Sequence, residues 1–595
     1  MPWIQALRPR LATDAHERRG LAAALVLPAA GLFAWGLLVA LHYGRMGYLP
    51  LDQSIVFDGG YRLLSGQLPY RDFMTPAAVV PAVLQAGFFR ALGVSWFAYV
   101  LHAAAANGLF AVLAFALLRQ LGLRLAWAAW WAALSALTFY PPIGVPYAEH
   151  HAFLFGLAAL TAGNAARRAR SDGGALLLSA LAAILVAAAF FSKANPTVFL
   201  APVAGAMPLL GVPGRRRLRN LCGLLLGTGA VIAAVFAYLA RWVPDPGAAR
   251  RFALAMPAAV GAARIQELLA GGGPGWPFWR EILTFWPVAS LALAVAIALH
   301  SLLARQGDGD QRLAALLALG LAAVSAAFAA TTLRDPATAA VAVFLVAGLA
   351  QASLGRGIPA VAAAAGAAAA AGAAAAADIA TTAAAAREPA PGHPPGVAAA
   401  PPPSEAGPAR IGRVLLALLV LASAVEAVRF DLLVNETRAA IGAPPAAKAA
   451  LLPAAMGYLR WGVPRFVHYG SGDLAEVARF FASNPGNFWL LGDSSILYGI
   501  TGRPSASPVL WFHPYLTVPF AGRPQRREFD RYLLRRLQTY DIRYVVLEGE
   551  ATQMGVSLAD FPILRRRIDA LRCGEETFGG FRVITLCRPL RPRPS

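Results

Sequence analysis

Lysine is nearly missing from this chain: Lys193 and Lys448 are the only two, so almost all of the positive charge is arginine. Cysteine is sparse, with Cys222 in an apolar block and Cys573 and Cys587 in the tail. That excludes a fold stapled by disulfides throughout. Charge is scarce too, at 14% of residues, where a soluble domain carries roughly 25%. A surface facing water on all sides is therefore excluded. The 595 residues are 58% hydrophobic with mean hydropathy +0.55. This apolar material arrives in blocks of roughly 18–24 residues, the length that crosses about 30 Å of hydrocarbon. The fold class this implies is an α-helical polytopic membrane protein.

A net charge of +21 would suit nucleic-acid binding, but the arginines stand at the ends of apolar blocks. Arg167, Arg168 and Arg170 form one such group, and Arg215, Arg216, Arg217 and Arg219 another. Positive charge on the cytoplasmic turns has this distribution, and no recognition-helix, zinc-finger or RNA-binding signature accompanies it. The start carries Arg8, Arg10, Arg18 and Arg19 ahead of an apolar block at 21–41. It lacks a small-residue cleavage site and reads as a retained helix with the N-terminus inside. Further spans are expected at 98–118, 125–141, 150–166, 174–191, 195–210, 220–240, 282–303, 313–332 and 336–354. With 411–429 they make about 11 transmembrane helices. Under this parity the inside turns hold Arg119 and Arg124, the Arg167 and Arg215 groups, Arg305 and Arg312, and Arg356.

The domain organisation follows. Residues 1–357 form the transmembrane region, with a long first outside loop at 42–97. Residues 358–409, including the near-pure Ala/Gly run Ala362–Ala377 and the stretch Pro389–Pro408, read as a low-complexity linker. Residues 410–430 are the final span. If Ala362–Ala377 does not cross the bilayer, the tail lies outside. Alanine contributes little apolar area per residue, which favours that arrangement. The tail, 466–595, alternates helix and strand patterns. Helices are expected at Asp473–Ser483 and Glu528–Thr539, and strands at Asn487–Leu491, Arg543–Leu547 and Phe581–Cys587. This is a small α/β domain on the periplasmic side of a bacterial inner membrane. Cys573 and Cys587 could pair there, or remain buried thiols. The tail holds no GxSxG elbow, phosphate loop or dinucleotide fingerprint. Asp493 reads as a cap or groove residue, and His513 as structural.

The candidate site residues are the polar exceptions on the outer side. In the first loop stand Asp52, Asp58, Tyr61, Arg62, Tyr70, Arg71 and Asp72. A carboxylate at the membrane face can abstract a proton from a hydroxyl or, with a second carboxylate, hold a metal. The alternative is a solvated loop whose acids neutralise its arginines. Glu149, His150 and His151 begin an outer helix, where an acid is also favourable by itself. The two histidines are adjacent and face different ways. Lys193, between two apolar blocks with Asn195 beside it, suits a lipid phosphate or simple snorkelling. Arg334 and Asp335, in an outside turn, suit a phosphate or a local ion pair. Trp276, Trp279 and Trp286 read as an interfacial belt. Asp52, Glu149 and His151 are the residues that could hold a divalent cation, and no other cofactor is implied.

Gly66, Pro69, Tyr70, Asp72 and Phe73, followed by Pro76, match a G-x-x-P-Y-x-D-F pattern, and Asp52 precedes it after the first span. In this the chain resembles the GT-C superfamily of integral-membrane glycosyltransferases. The branch is the one using polyprenyl-phosphate sugars, such as protein mannosyltransferases and lipid A aminoarabinose transferases. Gln53 stands where those proteins carry a glutamate, and Thr75 where they often carry a lysine. Lys193 resembles the lysine after their fifth span. The resemblance implies an inverting glycosyltransferase with Asp52 as general base. Asp58, Arg62, Tyr70, Arg71, Asp72, Glu149, His150, Lys193 and Arg334 would then bind substrate. The partners implied are a polyprenyl-phosphate-linked sugar, membrane lipids, and a glycan, lipid or protein acceptor. A lipid or polysaccharide transporter and a non-catalytic envelope-assembly protein are the alternatives. Transporters place ionisable groups near the midplane, whereas here they cluster in outside connections.

Overall fold

The computed structural model describes residues 15–270, 287–303, 308–332, 342–354, 407–440, 452–463, 467–519 and 524–590. Arg334, Asp335, the three belt tryptophans and Ala362–Ala377 fall outside them. Among the described residues six helices are long and apolar enough to cross a bilayer: Leu25–Gly44 within α1 (Ala15–Gly44), Trp96–Gln120, Asp172–Ser192, Gly214–Trp242, Gly309–Ala329 and Ile411–Phe430. Shorter apolar helices cover Val79–Leu92, Leu125–Phe139, Val288–Leu303 and Val343–Ser353. In chain order, α2 is Pro50–Leu64, α3 Val79–Leu92, α4 Trp96–Gln120, α5 Leu125–Phe139, α6 Ala148–Arg168, α7 Asp172–Ser192, α8 Ala194–Ala206 and α9 Gly214–Trp242. After α10 (Met256–Leu269) come α11 (Val288–Leu303), α12 (Gly309–Thr332), α13 (Val343–Ser353) and α14 (Gly407–Ala440). Leu225, Leu226, Ile232 and Phe236 of α9 are exposed. Water would penalise that area, whereas a bilayer does not. Gly223 and Gly227, one turn apart, let α9 lie against the α7 carbonyls of Leu176 and Ala180. This is the close approach that small residues permit between membrane helices.

Three of the arginine-bearing turns meet at one end of the bundle. Arg167 and Arg168 both pair with Asp310, and Arg219 pairs with Asp172, so three turns expected on one face are tied together. On this face α13 ends at Leu354, and a methyl added to Gly412 of α14 would meet Leu354 Cδ2 at 3.3 Å and His300 at 3.8 Å. At the other end of α14, Glu426 accepts hydrogen bonds from the N–H groups of Ala289 and Ser290, at 2.9 and 3.0 Å, capping α11. The chain therefore leaves at Leu354 and returns at Gly407 on one face, and α14 carries it to the other.

The first outside loop differs from the sequence expectation: it contains the two helices α2 and α3, packed on each other. Pro50 begins α2, and Asp52 and Arg62 occupy its first and last turns, all favourable placements. The tail follows its expected pattern within a residue or so at most strands. It comprises α15 (Ser471–Ser483), β1 (Asn487–Leu491), α16 (Ile496–Thr501), α17 (Pro524–Gln538), β2 (Ile542–Glu548), α18 (Pro562–Asp569), β3 (Arg572–Phe578) and β4 (Phe581–Leu586). The sheet order is β1-β2-β4-β3, with β1 and β2 parallel and the other pairs antiparallel. The β3 strand was absent from the sequence reading because its residues RCGEETF are mostly exposed and carry no apolar alternation. Cys573 and Cys587 are disulfide-bonded, with Cα atoms 5.0 Å apart.

One sheet face buries Trp489, Leu491, Val545 and Leu547 with Leu533 and Leu564 of α17 and α18. The other carries Phe488, which stacks on Phe481 and Tyr498, into the core shared with the membrane helices. The tail thus sits on the first connection. Tyr48 N–H donates to the Gly462 carbonyl at 2.6 Å, and Met74 N–H to the Pro508 carbonyl at 2.7 Å.

Candidate functional site

Asp52 lies in the first turn of α2, half-buried beneath the tail. Its neighbours hold that turn still. The fully buried Gln53 donates to the Ile143 carbonyl at 2.8 Å and accepts from Leu49 N–H at 2.9 Å. Where the resemblance expects a glutamate, an amide with one donor and one acceptor to satisfy does this tethering. Tyr48 and Ser54 hydroxyls meet at 2.9 Å on the same turn.

Three groups from other elements converge on Asp52. Tyr147, the residue preceding α6, donates its hydroxyl to Asp52 Oδ1 at 3.2 Å. Glu149, in the first turn of α6, pairs with Lys193 Nζ at 3.0 Å. Lys193 is the extended residue between α7 and α8, and this break turns its side chain out of the helical run. Burial pushes the Asp52 carboxyl up to about 6, and the Glu149 charge adds to the rise. The Tyr147 hydrogen bond and the Lys193 charge oppose it. A carboxylate so tuned is charged at neutral pH yet basic enough to take a proton. The Thr75–Ala78 turn closes the same corner, with Ala78 N–H donating to the Ser192 carbonyl at 2.8 Å. Between α7, α8 and α9 lies an apolar groove of about 440 Å³, lined by Phe190 and Phe191 just ahead of Lys193 in sequence and by Val198, Val231 and Phe236 among others.

The histidines take separate positions. His151 Nε2 meets His102 Nε2 at 3.0 Å, and its Nδ1 meets the Tyr140 hydroxyl at 2.7 Å. His150 is buried among the rings of Phe139, Tyr140 and Tyr147, and neither ring nitrogen has a hydrogen-bond partner. Among the described residues no three His, Cys, Asp or Glu side chains are grouped as a metal ion would require. Asp52, Glu149 and His151 do not form such a set.

The remaining first-loop candidates bind the tail. Asp58 and Arg62, one turn apart on α2 and both buried, pair at 2.8 Å. Arg62 also donates to the Ser507 carbonyl at 2.6 Å, and Ser505 to Asp58 at 3.3 Å. Burial raises the Asp58 carboxyl and Arg62 counters it. Tyr70, at a positive φ of 61°, packs against the tail core. Asp72 accepts from Arg71 at 2.7 Å, from Leu68 N–H at 2.8 Å and from Arg536 at 3.1 Å. Partial burial alone would raise its carboxyl, but these donors hold it below the usual range.

Three residues that position these elements were not found from sequence. Tyr147 looked like one aromatic among many at a helix end. Glu426 lies inside an apolar run, the signal that could have flagged it. Glu548, at the end of β2, accepts from the N–H groups of Asp493 and Ser494 at 2.8 and 2.7 Å. It thereby fixes the loop after β1 against α2.

No protein-family model matches the sequence, and no curated protein does. Solved structures with a similar layout include ArnT from Cupriavidus metallidurans in the apo state. It is 13% identical, with 95% of this chain and 99% of that one covered and a TM-score of 0.48. The same protein bound to undecaprenyl phosphate aligns at 11% identity over 95% and 99%, TM-score 0.46. The arabinofuranosyltransferase AftD from Mycobacteria aligns at 15% over 97% of this chain and 40% of that one, TM-score 0.42.

Proposed function

We propose that this protein is a membrane glycosyltransferase that moves a sugar from a polyprenyl-phosphate donor to a hydroxyl acceptor, with Asp52 as general base. The reading rests on one observation: Asp52, raised to about 6, stands beside the Glu149–Lys193 pair, and Lys193 follows directly on the α7 end whose Phe190 and Phe191 line an apolar groove. The groove takes the isoprenoid tail, and Lys193 faces the phosphate. Glu149 holds the ammonium in place. Asp52 removes the proton of the acceptor hydroxyl as its oxygen attacks the anomeric carbon. The bond from that carbon to the phosphate oxygen breaks, its electron pair leaves on the polyprenyl phosphate, and the configuration inverts. Positive charge fixed at the departing phosphate lowers the barrier because the charge develops there.

The disulfide supports an extracytoplasmic tail, since such bonds persist in oxidising compartments. The arginine-rich turns on the opposite face support the same orientation, with those turns cytoplasmic in a bacterial inner membrane. Asp58, Arg62, Tyr70, Arg71 and Asp72 then serve to seat the tail over the site. Purified protein incubated with a panel of undecaprenyl-phosphate sugars and octyl glycosides as hydroxyl acceptors, with release of undecaprenyl phosphate as readout, tests the proposal. Consumption of one donor by the wild type and not by Asp52→Asn is the expected result. No consumption of any donor, or full activity in the variant, overturns it.

A further inference from the structure

The tail reaches into the site as well as covering it. Strands β1 and β2 run parallel, and their carboxyl ends point at the first turn of α2. Parallel strands commonly bind ligands at this edge, because the loops there diverge and leave polar groups free. Here the loop after β1 reads Gly492-Asp493-Ser494-Ser495, and Ser495 Oγ lies 3.5 Å from the Ser54 carbonyl, two residues from Asp52. Glu548 holds this loop from the end of β2 through the Asp493 and Ser494 N–H groups and the Ser494 hydroxyl, the last at 3.1 Å. The Tyr469 hydroxyl meets Ser494 Oγ at 2.5 Å from another side.

Asp493 is left with an unmet need. It is only 7% exposed. One carboxylate oxygen accepts from Gln553 N–H at 2.5 Å, while Oδ1 has no hydrogen-bond partner. Among the described residues no ion pair reaches it. Burial raises its carboxyl, and the Asp52 charge raises it further, so the two carboxylates are close enough to repel. A buried acceptor without a donor is destabilising, and a bound donor group would recover that.

We propose that Asp493 is an acceptor-binding residue whose free Oδ1 takes a hydrogen bond from a second hydroxyl of a saccharide or other polyol acceptor. The inference rests on the glycosyl-transfer reading above. The membrane helices bring Glu149 and Lys193 to Asp52 and the tail brings Asp493, so the acceptor is assigned to the tail side. Lys193 marks the phosphate end, and the acceptor lies beyond the base. Asp52 must face the attacking hydroxyl, and Asp493, near enough to feel the Asp52 charge, faces the next one. An acceptor with neighbouring hydroxyls satisfies both carboxylates, whereas an isolated serine or threonine hydroxyl satisfies one.

The test compares wild type with Asp493→Asn in full-length purified protein. The donor is whichever undecaprenyl-phosphate sugar the wild type consumes, and n-octyl glycosides serve as probe acceptors. Asparagine can still accept from Gln553 N–H but presents a donor where Oδ1 was. The expected result is at least a tenfold rise in KM for the octyl glycoside, with kcat and the donor KM within threefold of wild type. Asp493→Glu should restore part of the loss, which a folding defect would not allow. An unchanged acceptor KM overturns the proposal. An equal loss of donor affinity, or a fall in kcat alone, also overturns it. So does a wild type that consumes its donor in membranes yet transfers to no octyl glycoside. A wild type that consumes no donor at all fails the underlying reading instead, so the two failures are distinguishable.

Discussion

Asparagine at position 52 keeps an oxygen for the Tyr147 hydroxyl, 3.2 Å away in the wild type, but can neither carry charge nor take a proton. The substitution should therefore lower turnover and raise stability together. Loss of a general base typically costs 10²–10⁴-fold in rate. The stability term follows from the carboxyl, raised by burial and by Glu149 from an ordinary value near 3.8 to about 6. That difference corresponds to roughly 3 kcal/mol paid by the folded state at neutral pH. The direction is set by linkage: a carboxyl raised on folding helps stability fully below its unfolded pKa, and that help is gone once pH passes the folded value. The substituted amide does not titrate, so it avoids the neutral-pH cost. The variant's advantage should be roughly 3 kcal/mol at pH 7.5 and about half that at pH 5. Thermal unfolding in detergent at both pH values reads the difference, and turnover assays read the rate. Wild-type kcat/KM should fall about tenfold per pH unit below about 6. A variant with more than about a tenth of wild-type turnover, or a stability gap that does not narrow with acid, would refute the reasoning.

Lys193→Met leaves the buried Glu149 carboxylate without its partner, and should cost about 1–3 kcal/mol. Adding Glu149→Gln should return the stability but not undecaprenyl phosphate affinity, measured by lipid titration. Arg62→Met strands Asp58 beneath the tail, at about 3–5 kcal/mol, and hydrogen exchange should rise at 505–509; unchanged protection there would deny its docking role. Cys573→Ser opens a crosslink spanning 14 residues, and should destabilise the tail by roughly 3 kcal/mol in thermal unfolding monitored by tryptophan fluorescence. In a Cys222→Ser background, Glu550→Cys should react with an impermeant maleimide added from outside, and Arg215→Cys only after permeabilisation. The reverse pattern would invert the orientation.

The multi-pass membrane character and the first carboxylate were legible because hydrocarbon makes charge conspicuous. Asp52, Glu149 and Lys193 each interrupt or border an apolar run, and the structure gathers all three. Asp58 and Arg62 stood at i, i+4 spacing, but the helix carrying them was hidden inside a stretch read as a loop. Their partners, Ser505 and the Ser507 carbonyl, lie more than 400 residues away in sequence. Asp493 was visible as a residue but not as a site: its missing hydrogen bond exists only once the sheet has buried it. Tyr147 is one of 15 tyrosines, and only its distance to Asp52 separates it from the rest.

The meeting of Leu354 with Gly412 has a consequence for how this chain can be altered. Every other crossing fixes the side on which the next segment emerges, so an added or lost span would separate Asp52 from Asp493. The described ends on either side of residues 355–406, Leu354 and the first turns of α14, lie at one face. A brief Gly/Ser bridge joining those two ends would keep α14 on its present side, and both carboxylates together. This junction is therefore the place to shorten the protein, or to insert a reporter domain, with the least disturbance to the site on the opposite face.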